Sequence, residues 1–145
     1  MFVTQMFKQK KAHRIVTIPP ETTVPEAARI LKQEHIGALM ITGDDDALVG
    51  IMSERDIVRA IPKYGADFLD LSVERLMTRS VVTCGPDARV HQIMKKMTEG
   101  HFRHMPVLED GKLFGMISIG DVVKSRVDEL ETEGAHLRNY IAGKG

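Results

Sequence analysis

The chain has 145 residues, enough for one domain or for two small repeats that share a core. Lys+Arg and Asp+Glu both number 20, so the formal net charge is +0, which argues against a nucleic acid or an acidic membrane as the primary partner. The single cysteine, Cys84, rules out an internal disulfide and fits a reducing compartment. No apolar run approaches the ~18 residues of a membrane-spanning helix. Because residues 1–14 also lack the apolar core of a signal peptide, we expect a cytoplasmic protein.

Residues 1–14 mix apolar and basic side chains, and their spacing predicts a short amphipathic helix. Such a helix could lie on a membrane surface or pack onto the domain. The apolar face is narrow, which favours packing onto the domain.

The first half of the chain reads strand, helix, strand, strand, helix. Residues 15–18 are β-branched and predict a strand that ends at Pro19. Apolar residues at helical spacing then begin at Val24, with Thr22 or Thr23 as the cap, and Gly37 is expected to end this helix. Two strands follow at 38–41 and 47–52, joined by the turn-rich residues 43–46. Ser53 is expected to start the next helix and Pro62 to end it.

The same order recurs in the second half. A strand is predicted at 81–84, a turn at 85–87, a helix from Val90, two strands at 105–108 and 112–117, and a last helix from Ser118. Val24 and Val90 are 66 residues apart, whereas Gly50 and Gly115 are 65 apart, so one extra residue in the loop at 44–46 explains the difference. An internal repeat of one supersecondary unit normally packs against its twin.

Each repeat contains the motif apolar-apolar-Gly-apolar-apolar-Ser-x-x-Asp-apolar-Val, at residues 48–58 and again at 113–123. The apolar run predicts a buried strand, and Ser-x-x-Asp predicts a helix start, whose free N–H groups can receive an anion such as phosphate. A single copy would most simply be a capping box, in which the acid bonds back to the serine N–H. Two copies inside matching units favour a pair of ligand sites.

Two segments lie outside the repeats. Residues 62–76 join them, with a loop predicted at 64–66 and a helical turn at 73–77. Beyond Val123 the last helix carries an apolar stripe with heptad-like spacing, which could pack back on the domain or, slightly favoured, against a partner. The predicted division is an N-terminal segment 1–14, a first repeat 15–61, a linker 62–76, a second repeat 77–126 and a helical extension 127–145.

The duplicated β-α-β-β-α unit ending in Gly-h-h-Ser-x-x-Asp, where h is apolar, resembles a tandem CBS-domain pair, or Bateman module. The resemblance covers about residues 15–126, and the step Met105-Pro106-Val107 also fits the family's second strand. The first repeat has no proline at the corresponding step, so the two sites need not bind a ligand equally well. The resemblance implies an α/β fold of two β-α-β-β-α repeats with pseudo-twofold symmetry, to which this chain adds a long C-terminal helix.

The family resemblance also implies two clefts for adenosine compounds: AMP, ADP or ATP, and less favoured S-adenosylmethionine or NAD. It implies crossed construction, in which the Ser-x-x-Asp of one repeat works with the first and second strands of the other. The first cleft would then contain Ser53, Arg55, Asp56, Val81, Val82, Phe102, Arg103, His104 and Pro106. The second would contain Ser118, Gly120, Asp121, Val16, Thr17, Ile36, Gly37 and Ala38.

The residue types suit this ligand. A carboxylate can accept both ribose hydroxyl protons, while the serine hydroxyl and helix-start amides suit a phosphate oxygen. Arg55 and Arg103 would add charge-assisted phosphate bonds, so the more highly charged ligand is expected in the first cleft. The second cleft, with Gly120 in place of Arg55, would be roomier and less cationic.

No catalytic set is evident. Ser53 and Ser118 have no general base at a recognisable spacing, and His101, His104 and Cys84 fall short of a closed zinc site. We therefore expect no enzyme, no metal and no catalytic cofactor. The sequence favours a regulatory sensor of adenine nucleotides that acts on an unidentified effector protein. We expect it to be a homodimer in which two CBS pairs form a flat disc. The alternative is a structural interaction module whose clefts are empty.

Overall fold

The computed structural model describes residues 1–9 and 15–143, which form two compact units. One unit comprises the described residues 15–82 and 110–113, and we call it the first-repeat unit. The other comprises the described residues 1–9, 83–109 and 114–143, and we call it the second-repeat unit. Each has its own apolar core. The predicted segment boundaries stay predictions.

The helices and strands follow the predicted order. In chain order the helices are α1 (Val3–Gln9), α2 (Val24–Glu34), α3 (Glu54–Tyr64), α4 (Val90–Gly100) and α5 (Ile119–Ile141). The strands are β1 (Thr17–Ile18), β2 (Ala38–Thr42), β3 (Leu48–Ser53), β4 (His104–Glu109) and β5 (Lys112–Ser118). The α/β class, the repetition and the long last helix are thus confirmed.

The first-repeat unit is built on a three-stranded sheet in the order β1-β2-β3. Strand β1 pairs with β2 in parallel and β2 with β3 antiparallel. The buried face of α2, with Val24, Ala27 and Leu31, completes a core that includes Leu39 and Met52.

Strands β4 and β5 form a two-stranded sheet, and β4 with most of β5 belongs to the second-repeat unit. The two-residue turn between these strands, Asp110-Gly111, has positive φ at both positions, which suits the right-handed twist of a hairpin. The predicted strand at 81–84 is wrong: the chain forms only an isolated bridge between Cys84 and Val107 there. Strand β1 is likewise shorter than the predicted 15–18.

Two predicted helix ends are also corrected. Helix α2 ends at Glu34, ahead of Gly37, because His35 adopts the left-handed conformation and its N–H bonds back to Leu31 O and Lys32 O. His101 ends α4 in the same way. Helix α3 continues past Pro62 to Tyr64, and the predicted loop beyond it is a 3₁₀ helix at Gly65–Asp70. The predicted turn at 73–77 is confirmed in part as a 3₁₀ turn at Val73–Arg75.

The linker and the N-terminal segment each accept a hydrogen bond from the first residue of a repeat's first helix. In the first-repeat unit Val24 N donates to Leu71 O at 2.8 Å, and in the second-repeat unit Val90 N donates to Met1 O at 2.9 Å. Helix α1 buries Val3, Met6 and Phe7 in the core of the second-repeat unit. The prediction that this segment packs onto the domain is therefore confirmed for residues 1–9, and residues 10–14 lie outside the described residues.

The glycines of the repeated motif make room for these segments. A Cβ on Gly50 would come within 2.5 Å of Met77 Sδ, and a Cβ on Gly115 within 2.9 Å of Phe7 Cζ. Glycine in a strand commonly marks such a close approach. Each strand therefore lacks a side chain where a neighbouring segment packs against it.

Candidate functional site

The first candidate site is the corner where β3 runs into α3. Ser53 caps α3: Asp56 N donates to Ser53 Oγ at 3.4 Å, and Ser53 N donates to Asp56 Oδ2 at 2.8 Å. The first helical amide, on Glu54, donates to Gly37 O at 3.0 Å. The corner is thus held by hydrogen bonds within the capping box and by one to Gly37, the residue before β2.

The second candidate site is the matching corner where β5 runs into α5. Asp121 N donates to Ser118 Oγ at 3.1 Å, and Ser118 N donates to Asp121 Oδ2 at 3.0 Å. Here the first helical amide, on Ile119, donates to Arg103 O at 2.8 Å. Two corners with the same sequence pattern therefore have the same hydrogen bonds.

Both motifs are therefore capping boxes, the simpler of the two interpretations of the sequence. Of the first three amides in each helix, the third donates to the capping serine and the first donates to a carbonyl ahead of the neighbouring strand. No described residue accepts from the second, the amide of Arg55 or of Gly120, which is therefore left as a donor. Asp56 accepts its bonds on Oδ2, from Ser53 N and Ser53 Oγ, and its Oδ1 bonds to no described residue. Capping thus leaves Asp56 one carboxylate oxygen, Oδ1, that can accept further hydrogen bonds.

In the first-repeat unit the pairing of strands brings several predicted residues to one end of the sheet. Ala38 pairs with Ser53, and Thr17 pairs with Met40, two residues further along β2. The starts of β1 and β2 therefore lie beside the end of β3, together with Gly37 and, next along the chain, Val16 and Ile36. The sequence predicts these strand residues in the cleft of Ser118, and that grouping stays a prediction; within the first-repeat unit, Ala38 pairs with Ser53 and Gly37 O accepts from Glu54 N.

In the second-repeat unit the helix start of α5 lies against the start of β4. Arg103 provides the carbonyl bonded by Ile119, and His104 opens the strand. Phe102 is half-buried and packs against the core and close to Gly100, and Pro106 is buried within β4. Val81 and Val82 belong to the other unit, one half-buried and one exposed. The crossed grouping of these residues stays a prediction.

The two candidate phosphate-binding arginines are exposed. Neither Arg55 nor Arg103 has an ion pair with any residue in the described ranges. A Cβ on Gly120 would meet only Ser118 Oγ, at 3.6 Å, so the surface beside α5's first turn is open. Both helix starts therefore have space or positive charge for an anionic ligand.

Thr78 is a neighbour of the first corner that the sequence analysis did not identify. It exchanges two backbone hydrogen bonds, at 3.1 and 2.8 Å, with Ile51. Ile51 lies in β3, two residues before Ser53. The exposed polar residues 78–80 ahead of Val81 were the available signal. Their pairing with β3 is a long-range contact that no local pattern indicates.

In the part of the chain that the structure describes, no three His, Cys, Asp or Glu residues cluster as metal ligands would. Burial raises the pKa of the Cys84 thiol to about 11, although the Lys96 ammonium acts to lower it. A raised pKa disfavours the thiolate that zinc binding or nucleophilic attack requires.

Alkylation of Cys84 tests this protonation state. A thiol of pKa about 11 has roughly 100-fold less thiolate at pH 8 than one with the ordinary value near 9. We therefore expect iodoacetamide to label the native protein roughly 100-fold more slowly than the urea-unfolded chain, as followed by intact mass. Equal labelling rates for the two states would contradict the raised pKa.

Two tandem strand-helix repeats, each with a capped helix start beside its own sheet, define a duplicated α/β module. The family model described as CBS domain matches residues 11–63 and 73–128. The chain belongs to the CBS-domain family and contains a pair of these domains.

Three similar proteins illustrate the relationship. The CBS-domain containing protein ATU1752 from Agrobacterium tumefaciens is 44% identical, with a TM-score of 0.83 over 87% of this chain and 99% of that one. CBS domain protein PAE2072 from Pyrobaculum aerophilum, complexed with AMP, is 28% identical, with a TM-score of 0.73 over 83% of this chain and 89% of that one. The mitochondrial protein CBSX3 of Arabidopsis thaliana is 37% identical over 85% of this chain, which spans 62% of that relative.

Within residues 1–9 and 15–143, no helix has both the length and the apolar content required to cross a membrane.

Proposed function

We propose that this protein is a regulatory sensor of adenine nucleotides, with one binding element at each capped helix start. The observation that carries the proposal is the pair of corners themselves, because each places a carboxylate and a serine hydroxyl at a helix start. AMP in the similar Pyrobaculum protein supports an adenine nucleotide as the class of ligand. AMP, ADP and ATP are the favoured candidates, ahead of S-adenosylmethionine and NAD.

The chemistry assigns each group a role. Asp56 would accept hydrogen bonds from the ribose hydroxyls on its remaining oxygen, Oδ1, while Oδ2 keeps its hydrogen bond from Ser53 N. The amide of Arg55 and its exposed guanidinium are available to phosphate oxygens. In the second-repeat unit Asp121 would lie beside the ribose and the Gly120 amide beside the phosphate, while the predicted crossed construction gives the Arg103 guanidinium to the site of Asp56.

A ligand bound there would act by population shift. It changes an equilibrium between conformations only to the extent that it binds them unequally. The output would pass to an effector protein or to the homodimer, and the disc arrangement of that dimer is part of the proposal. We propose a binding function without catalysis, in the cytoplasm, where a single free thiol would persist.

A second candidate function, a structural interaction module without a ligand, is favoured by one specific observation. Both aspartates already form capping boxes, so helix initiation alone accounts for the Ser-x-x-Asp pattern. The exposed apolar stripe on α5 would then be the working surface.

A thermal-shift panel with AMP, ADP, ATP, S-adenosylmethionine and NAD separates the two functions. A ligand at 100 times its dissociation constant stabilises the native state by about 2.7 kcal/mol, which raises Tm by several degrees for a chain of this size. We expect at least one adenine nucleotide to do so in a concentration-dependent manner.

Guanosine monophosphate serves as the control ligand, because it has the same ribose and phosphate with a different base. Chromatography of the same samples should return the nucleotide unchanged. The sensor proposal fails if none of the five compounds shifts Tm at millimolar concentration, and turnover of the nucleotide would contradict the absence of catalysis.

A further inference from the structure

The C-terminal part of α5 carries an apolar stripe that its own unit leaves uncovered. Helix α5 packs on its unit through Val122 and Ser125, which are buried. Each residue of an α-helix is rotated by about 100° around the axis from the one before it, so Val123, which follows Val122, lies off this buried face. The stripe consists of Val123, Val127, Leu130, Leu137 and Ile141, whose exposed fractions run from 45% to 76%.

Beyond Glu129 the helix also continues for roughly three turns without a buried residue. A free helix of that length is marginal in water, and its stability in proteins comes mainly from packing of an apolar face. Gly134 in the middle of this segment lowers its helix propensity further. The segment therefore has the character of a helix that is completed by a partner.

The spacing of the stripe is that of a two-stranded coiled coil. Val123, Leu130 and Leu137 fall on the d positions of a heptad, and Val127, Gly134 and Ile141 fall on the a positions. A Cβ on Gly134 would meet only the end of the Arg138 side chain, at 3.4 Å. The central a position thus offers open space for a close approach of a second helix.

The charges beside the stripe identify the occupant. On the same heptad the g positions include Arg126 and Glu133, and the e positions include Glu131 and Arg138. In a parallel dimer each g residue faces the e residue five positions further along the partner helix. Arg126 would then face Glu131 of a second copy, and Glu133 would face Arg138, so that both contacts join opposite charges.

An antiparallel arrangement brings e against e and g against g. It would place Glu131 beside Glu131, Glu133 beside Glu133, and Lys124 beside Arg138, all of like charge. Arg126 already pairs with Glu129 at 2.9 Å, but its guanidinium has further N–H donors for a second carboxylate. Glu131, Glu133 and Arg138 have no ion pair with any described residue.

From these observations we propose that residues 123–141 form a parallel, in-register coiled coil with the same segment of a second copy of this chain. The proposal does not depend on nucleotide binding. It assigns a self-recognising surface to α5, because the same patch on both copies satisfies the two-fold symmetry of a homodimer.

Site-directed disulfide formation tests the register directly. In a Cys84→Ala background, Gly134→Cys places thiols from the two copies side by side, because equal a positions face each other only in a parallel dimer. The matched control is Asn139→Cys, at an outward f position of the same helix. We expect a mild oxidant to convert Gly134→Cys into covalent dimer at least tenfold faster than the control.

Charge reversal then tests the pairing. Glu133→Arg or Arg138→Glu, each in the Gly134→Cys background, should slow crosslinking severalfold alone, and mixing the two should restore it as heterodimer. Equal crosslinking of Gly134→Cys and Asn139→Cys would overturn the proposal in favour of a different protein or this chain's own surface as occupant. Unchanged crosslinking of Glu133→Arg and Arg138→Glu, each tested alone, would overturn the proposed pairing of residue 133 with residue 138 of the second copy.

Discussion

Phe7→Ala should lower the free energy of unfolding of the second-repeat unit by about 3–5 kcal/mol, the cost of removing a buried phenyl ring. The ring is 3% exposed, meets the Phe114 ring edge-on with centroids 5.4 Å apart, and fills the space beside Gly115. Total stabilities of 5–15 kcal/mol are typical, so this loss is a large part of the whole. Urea unfolding measures it.

Phe2→Ala is the matched control, since Phe2 lies on the same segment but is 38% exposed. The Arg89 guanidinium lies over its ring, 4.8 Å from the ring centre. We expect this control to cost about 1 kcal/mol or less. Hydrogen exchange should show that the loss in Phe7→Ala falls on α4 and β5 rather than on β2 and β3. Equal losses for the two variants would contradict the role of α1 as part of the second-repeat core.

The order of the elements could be predicted because their signals are local. Apolar periodicity located α2 and α4, and the Ser-x-x-Asp pattern located the starts of α3 and α5 to the residue. The segment that completes each core could not be predicted in the same way. Phe7 and Gly115 are far apart in sequence, and nothing in either local pattern indicates that one makes room for the other.

Helix ends were predicted less well for a different reason. Gly37 was the expected end of α2, since glycine adopts the left-handed conformation without steric cost. His35 adopts it instead, and its N–H bonds to the last carbonyls offset that cost. The same histidine conformation at His101 shows that the repeat extends to the backbone of the helix ends.

The candidate site shows how one motif supports two interpretations. Ser-x-x-Asp was predicted as a ligand site on the strength of its duplication, and the structure shows a capping box at both copies. These roles are compatible, because the cap of Asp56 uses one carboxylate oxygen and a ribose would use the other. The hydrogen bonds from Glu54 to Gly37 and from Ile119 to Arg103 are long-range, so sequence alone did not place each corner beside its own repeat's strand.

Substitution of the two aspartates separates capping from ligand binding. In Asp56→Asn and Asp121→Asn the amide oxygen can still accept the serine N–H, so we expect a loss of stability below about 1 kcal/mol. The negative oxygen for the ribose is gone, and hydrogen bonds to charged groups contribute about 1.5–3 kcal/mol. Nucleotide affinity at the altered corner should therefore fall by about 10- to 100-fold, as measured by isothermal titration calorimetry.

Thr23→Ala is the matched control for the cap. Thr23 caps α2 through a bond from Glu26 N at 3.3 Å, so its loss should cost about 1 kcal/mol of stability and leave nucleotide affinity unchanged. Arg103→Ala then tests the grouping, because it should weaken the binding component that depends on Asp121 if each repeat forms its own site, and the component that depends on Asp56 if construction is crossed. Unaltered nucleotide affinity in both asparagine variants would reduce the aspartates to helix caps and would place the nucleotide away from both corners.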